Sequence, residues 1–390
     1  MERKLKMAES EQFFGSRLRV ARTFNGYTLA EVGEAICTTR QYIQKLEVDD
    51  SCSPPAITTV EALASLLHVE SGFFYSPLLD EVQEEECHFR KAKTTPVNIR
   101  TRARSYGTFF GQILKYVDSH VDLPALKIPV ENVPSPQSLT REHIEKIAEK
   151  SRLAWNLHPD EPIHNVTRTL ENAGCVVTTF HGVSEKVDAF SFIRSRAVIV
   201  SNTAKGNTAR SRFDRAHEGG HVVLHRGVES GDPLLDDQAN QFASAFLLPR
   251  SAFIREFPKN NKLYWPKILE MSKRWGVSLQ ALIRRAYDLG IIDPVKYRYA
   301  HVYINKYIKE DVLASIAPPE EVPEILPQVI SLLRDSKGLT VSDIAESLHV
   351  KPEVLNSFGI FDSPGSNPPK NVIYLEKHRK TPELSRAGKI

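Results

Sequence analysis

Apolar positions recur at helical spacing through most of this chain, and the period changes only once. Leu18 and Ala21, then Leu29, Val32 and Ile36, then Ile43 and Leu46 mark the inner sides of three short helices. Thr28 and Thr39 stand where they can cap the second and third, and a tight turn joins those two. A longer helix is predicted over residues 99–121, where Tyr106, Phe109, Phe110, Ile113, Leu114 and Tyr116 share one side, and further helices at 144–155 and about 163–172. Three β-rich runs then interrupt, at 175–180, 189–193 and 197–201, set apart by Gly182 and by Arg194, Ser195 and Arg196. The helical period returns over 213–225 and 234–249 and continues in short helices towards the C-terminus. The pattern predicts a mainly α protein with a small β-sheet: an all-α N-terminal domain, an α+β central domain and a C-terminal helical module.

At 390 residues the chain exceeds one ordinary core. The expected division is 13–78 for the first helical domain and 79–137 for a linker and connecting helix. The central domain is then 138–295, the C-terminal module 296–375, and 376–390 a disordered tail. The linker begins with five acids in residues 80–86 and then carries Arg90, Lys91, Lys93, Arg100, Arg102 and Arg104 with no acid between. A solvated helix face and a phosphate-contacting surface explain those cations equally well. The net charge of +3 does not by itself imply a nucleic acid, so local charge has to decide. Cys37, Cys52, Cys87 and Cys175 are scattered without a paired spacing, which points to reduced thiols and a cytoplasmic setting. No apolar run suits a signal peptide or a membrane span.

The third helix of the N-terminal domain would turn Thr39, Arg40, Gln41, Gln44 and Lys45 outward. These side chains can bond base edges and phosphates in a major groove. With the later T-x-x-A-L-A-S-L-L run, residues 13–76 resemble the Cro-type helix-turn-helix family. The resemblance implies binding to double-stranded operator DNA as a homodimer. One position departs from that family, Cys37, where the turn needs positive φ and glycine is usual.

The densest chemistry lies at His217-Glu218-Gly219-Gly220-His221. On a helix, H-E-x-x-H sets two imidazoles one turn apart for a single metal ion, with the glutamate beside them as a base for water. The flanking Phe213, Ala216, Val222, Val223 and Leu224 suit a buried helix better than an exposed one with two incidental histidines. A catalytic zinc needs a third protein ligand. In the next helix Ala239, Phe242, Ala243, Phe246 and Leu247 define an inner face that includes Asp236, whereas Asp237 lies towards its edge. Asp236 is therefore the expected ligand, and Asp237 or a dipole-stabilised helix-start acid the alternatives. His225 continues the motif's face, but eight residues of helix rise ~12 Å, too far for one ion. It is expected as a packed or supporting histidine. Asp214 either accepts an imidazole N–H from His217 or is an exposed first-turn acid.

AHEGGHVVLH followed by D-x-x-A-N-Q-F-A-S-A-F-L-L-P resembles the ImmA/IrrE family of zinc metallopeptidases, over about residues 140–255. The resemblance implies a zincin-like fold, Zn2+ held by His217, His221 and Asp236, and Glu218 as general base in peptide-bond hydrolysis. Asp236 stands where that family has glutamate. Gly219 replaces an apolar residue, so two adjacent glycines cost ~1 kcal/mol each in the helix. The implied protein is a DNA-binding regulator whose peptidase cleaves a repressor, an antitoxin-like partner or a second copy of itself. The rival is a transcription factor whose peptidase-like domain senses a ligand or partner without hydrolysis. Beyond residue 296, the helical module lacks a strongly basic face, which favours packing or interaction over a second DNA contact.

Overall fold

The described residues begin with four short helices: α1 (Gly15–Phe24), α2 (Leu29–Ala35), α3 (Arg40–Leu46) and α4 (Ile57–Leu66). The computed structural model describes residues 12–49, 54–89, 96–179, 189–202, 206–259 and 262–360. Cys52, Arg90, Lys91, Lys93, Phe180, Gly182 and the tail 376–390 lie outside the described residues. Thr28 starts α2 with a capping box, its Oγ1 accepting from Glu31 N–H at 3.2 Å while the Glu31 carboxylate accepts from Thr28 N–H at 2.7 Å. Thr39 accepts from Tyr42 N–H at 3.2 Å. Between these caps Cys37 has φ +56°, so the left-handed turn exists with a cysteine in it.

The acidic and basic halves of the linker pair with each other. Glu81 meets Arg104 at 2.8 Å and Arg19 of α1 at 2.9 Å, and Glu84 meets Arg100 at 2.6 Å. Of the described linker cations, Arg102 donates to the Phe24 carbonyl at 3.0 Å. These cations are thus engaged within the chain. The linker also forms a strand, β1 (His88–Phe89), before the long helix α5 (Val97–Asp118). The sequence had no cue for that strand.

Next come α6 (Arg141–Ala154), α7 (Val166–Asn172), β2 (Val176–Thr179), β3 (Ala189–Ile193), β4 (Ala197–Ser201), α8 (Thr208–Leu224) and α9 (Pro233–Leu247). The sheet order is β1-β3-β4-β2, antiparallel at β1/β3 and β3/β4 and parallel at β2/β4. His88 pairs with Ser191 and Phe89 with Phe190. Alternate strand residues face opposite ways. Val176, Phe190, Phe192, Val198 and Val200 join one core with α1–α5. Val177, Ala197 and Ile199 join another with α6–α9. The sheet therefore stands between two cores, and α8 lies against it from the second.

That second core also takes α10 (Arg250–Glu256), α11 (Trp265–Trp275), α12 (Leu279–Asp288), α13 (Pro294–Tyr307) and the edge of α14 (Glu310–Ile316). The last helices, α15 (Ile325–Lys337), α16 (Val341–Ser347) and α17 (Pro352–Asn356), return to the first core. Glu321 fastens the crossing. Its carboxylate accepts from the N–H groups of Val166 and Thr167 at 3.0 and 2.9 Å and pairs with Arg212 and Arg215, all of them buried.

The return ends in a contact between two similar turns. Thr59, Val60, Ala64, Leu67, His68 and Val69 recur in order as Thr340, Val341, Ala345, Leu348, His349 and Val350. His68 and His349 both adopt positive φ, at +57° and +53°. Val69 and Val350 form an antiparallel bridge, with Glu70 N–H donating to the His349 carbonyl at 2.8 Å and Lys351 N–H to that of His68 at 3.1 Å. Among the described residues, no helix is long and apolar enough to cross a membrane.

Candidate metal centre

Helix α8 is capped by Asn207, whose Oδ1 accepts from Arg210 N–H at 2.9 Å, and most of its length is buried. Its doubled glycine has a packing reason. A Cβ on Gly219 would lie 2.8 Å from Leu170 Cδ2, and one on Gly220 would lie 3.1 Å from Phe242 Cδ1 and 3.3 Å from Ala239 Cα. The helix gives up intrinsic propensity there and gains close approach to α7 and α9. Asp232, with Pro233 behind it, starts α9 by accepting from Leu234 N–H at 2.9 Å. The approach of α9 brings its first-turn acid to the histidines.

His217 and His221 turn their Nε2 atoms towards each other at 3.1 Å. Asp236 Oδ1 lies 3.6 Å from the Nε2 of His221 and 4.0 Å from that of His217. Ligand atoms ~2.0–2.1 Å from a tetrahedral ion lie roughly 3.3–3.4 Å apart, so this N, N, O set fits one zinc-sized ion with small adjustments. Among the described residues it is the one group of three potential ligands this close. Asp237 points elsewhere: its Oδ2 accepts from Gln241 Nε2 at 2.7 Å.

A chain of hydrogen bonds sets the tautomers. Gln238 Nε2 donates to the Pro136 carbonyl at 2.6 Å, which leaves its Oε1 to accept from His225 Nε2 at 3.0 Å. His225 Nδ1 is then the acceptor for His221 Nδ1–H, at 3.0 Å. The proton on His221 is thereby held at Nδ1, and its Nε2 lone pair faces the cluster. His225 thus hydrogen-bonds the outer nitrogen of His221 and is not among the three converging side chains. Asn240 Oδ1, 3.0 Å from His217 Nδ1, does the same for the other imidazole. It fills the role the sequence offered to Asp214, which is buried and pairs with Arg210 at 3.6 Å.

Burial, then the neighbouring His88 and His225, holds His221 well below the ordinary histidine range, and burial lowers His225. Metal binding requires neutral imidazoles, so both effects favour it. Glu218 is buried beside the cluster, and its Oε2 accepts from Ser191 Oγ at 2.6 Å. His88 stacks on His221 with ring centroids 4.4 Å apart, and burial lowers its pKa to about 4. Ser191, His88, Asn240 and Gln238 were not singled out in the sequence. Asn240 had a signal, its place in the A-N-Q-F-A run one turn beyond Asp236.

The other predicted site residues are elsewhere. Thr39, which caps α3, and Arg40, Gln41, Gln44 and Lys45 on it are all exposed. Arg40 also lines a cleft of about 790 Å³ with Tyr27, Asn98, Thr101 and Arg102, between the α1–α2 turn and α5.

No curated protein matches the chain. Residues 170–287 match the model of the peptidase family M78, described as an IrrE N-terminal-like domain. The matched stretch begins in α7 and runs through β2, β3, β4, α8 and α9 into α12, so the histidines, the acid beside them and the strand carrying Ser191 fall together in a region similar to that family.

Proposed function

We propose that residues 138–295 form a zinc-dependent endopeptidase, and that residues 13–78 bind double-stranded operator DNA, which makes the protein a cytoplasmic transcriptional regulator. The observation that carries the first half is the convergence of His217 Nε2, His221 Nε2 and Asp236 Oδ1 next to a buried Glu218. When bound there, zinc supplies a Lewis acid that polarises a peptide carbonyl and makes water more acidic. The Glu218 carboxylate would serve as the base that accepts a proton from an attacking water and passes it to the leaving amine as the C–N bond breaks, and Ser191 Oγ, donating to its Oε2, fixes that carboxylate. The substrate class is a regulatory protein: a repressor, an antitoxin-like partner or a second copy of this chain.

The test compares the zinc-loaded chain with Glu218→Gln. The substitution keeps the zinc and abolishes cleavage of a labelled unfolded protein such as casein. If the zinc-loaded parent cleaves no faster than Glu218→Gln even at saturating casein, the hydrolytic reading is wrong.

One observation favours the second reading, a non-hydrolytic sensor: His88 covers His221. In that case Glu218→Gln leaves the regulatory output unchanged. DNA binding is supported by the exposed polar face of α3, and a homodimer on paired half-sites is its natural geometry.

A further inference from the structure

The strand edge nearest Glu218 is filled by the chain itself. Residues 83–89 form a 3-10 turn at Glu84–Glu86 and then the two-residue strand β1 on β3, where His88 pairs with Ser191, the residue whose hydroxyl holds Glu218. The turn of the same segment is held by Ser230, between α8 and α9, which donates its N–H to the Glu85 carbonyl at 2.8 Å and its hydroxyl to that of Glu84 at 3.2 Å. The segment therefore touches both β3 and residue 230, and its histidine ring rests on a candidate ligand. Side chains fix its N-terminal part, and strand pairing with β3 holds residues 88–89. Arg194 pairs with Glu86 and donates to the Glu81 carbonyl at 2.7 Å, and Arg100 pairs with Glu84.

We propose that the groove between β3 and Ser230 is the binding cleft for an extended polypeptide and that residues 83–89 are its resident occupant, a strap that any protein substrate must displace. The inference rests on the peptidase reading for the identity of the site, but its physical content is separate. A polypeptide adding to a sheet needs a free row of backbone N–H and C=O groups, and the row on β3 beside Glu218 is taken by β1. A tethered occupant competes at an effective concentration in the millimolar range, so a partner in trans binds weakly until the strap leaves. The strap also adjoins Glu81, whose carboxylate meets Arg19 on α1 and Arg104 on α5, so its position is tied to the N-terminal helices.

The test uses the full zinc-loaded chain with Glu218→Gln, which separates binding from hydrolysis, and fluorescein-labelled casein as the extended polypeptide. Glu84→Ala with Glu86→Ala loosens the strap. It should tighten casein binding by about tenfold or more and speed amide exchange across Ala189–Ile193. Glu85→Cys with Ser230→Cys, oxidised, locks the strap and should abolish binding, with recovery on reduction, which also shows that the protein is folded. Equal casein affinity in the loosened, locked and parent proteins overturns the proposal. With Glu218 restored, tighter binding without cleavage in the loosened variant keeps the strap and removes the peptidase reading. Cleavage that is the same whether the strap is loose or locked does the reverse.

Discussion

The Nδ1 atom of His217 lies 3.0 Å from Oδ1 of Asn240, and Asn240 stands one turn beyond Asp236 on α9. One helix thus brings the acid of the cluster and also orients an imidazole. Groups that hold a ligand's outer nitrogen are worth about 10–100-fold in metal affinity. Asn240→Ala should lower zinc affinity by about that factor in a chelator competition, with the fold unchanged by circular dichroism. Affinity within twofold of the parent would mean that Asn240 does not orient His217.

Asp236 and Asp237 are adjacent and make opposite predictions. Asp236→Ala should lose stoichiometric zinc after dialysis against a weak chelator, whereas Asp237→Ala should keep it, since Asp237 is bonded to Gln241. Elemental analysis of the two proteins decides the matter, and equal zinc in both would remove Asp236 from the site.

Glu321 is expected to matter for stability. Its replacement by alanine leaves Arg212 and Arg215 buried without their carboxylate and takes the acceptor from the first N–H groups of α7. Breaking a buried pair from one side costs about 3–5 kcal/mol. Urea unfolding would show that loss as a lower midpoint, and a change below about 1 kcal/mol would mean that the arginines find other partners.

At Cys37 the effect should run the other way. A cysteine at φ +56° costs ~1–2 kcal/mol relative to a relaxed backbone, and glycine has no such penalty. Part of the gain returns to the unfolded chain as entropy, so Cys37→Gly should raise stability by about 1 kcal/mol. A lower unfolding midpoint would show that the side chain stabilises more than its conformation costs.

For DNA, Arg40→Ala with Gln44→Ala should weaken operator binding by about 1–3 kcal/mol for each base edge no longer read, and should reduce the salt slope by about one for each phosphate no longer neutralised. Arg100→Ala should leave the slope nearly unchanged, because Arg100 is paired with Glu84. If Arg100 moves the slope and Arg40 does not, the DNA-facing surface is α5 and not α3.

The H-E-x-x-H helix, the helix that brings Asp236 near it and the flanking strands were legible because each rests on local spacing: one turn between the histidines, and an apolar face that includes Asp236 and turns Asp237 to its edge. His88 and Ser191 were not, since they reach the site through strand pairing between distant segments, and nothing in a two-residue strand announces its partner. The doubled glycine read as a cost in the sequence, because the nearness of Leu170 and Ala239 that calls for it is tertiary. The linker charges were visible as a sign change, but their mutual pairing needed the fold. The C-terminal module read as a separate unit because its periodicity is complete in itself. That its helices pack into the N-terminal core is tertiary and needed the fold.

The bridge between Val69 and Val350 has a consequence for synthesis. The N-terminal helices leave the ribosome first, and their partner turn at His349 follows roughly 280 residues later, on the order of 15–60 s at ordinary elongation rates. Throughout that interval the end of α4 is without its matching turn, so a second nascent chain can offer its own first copy of the same Leu-His-Val sequence. Translation speed over the intervening helices therefore sets how long this wrong pairing competes with the right one.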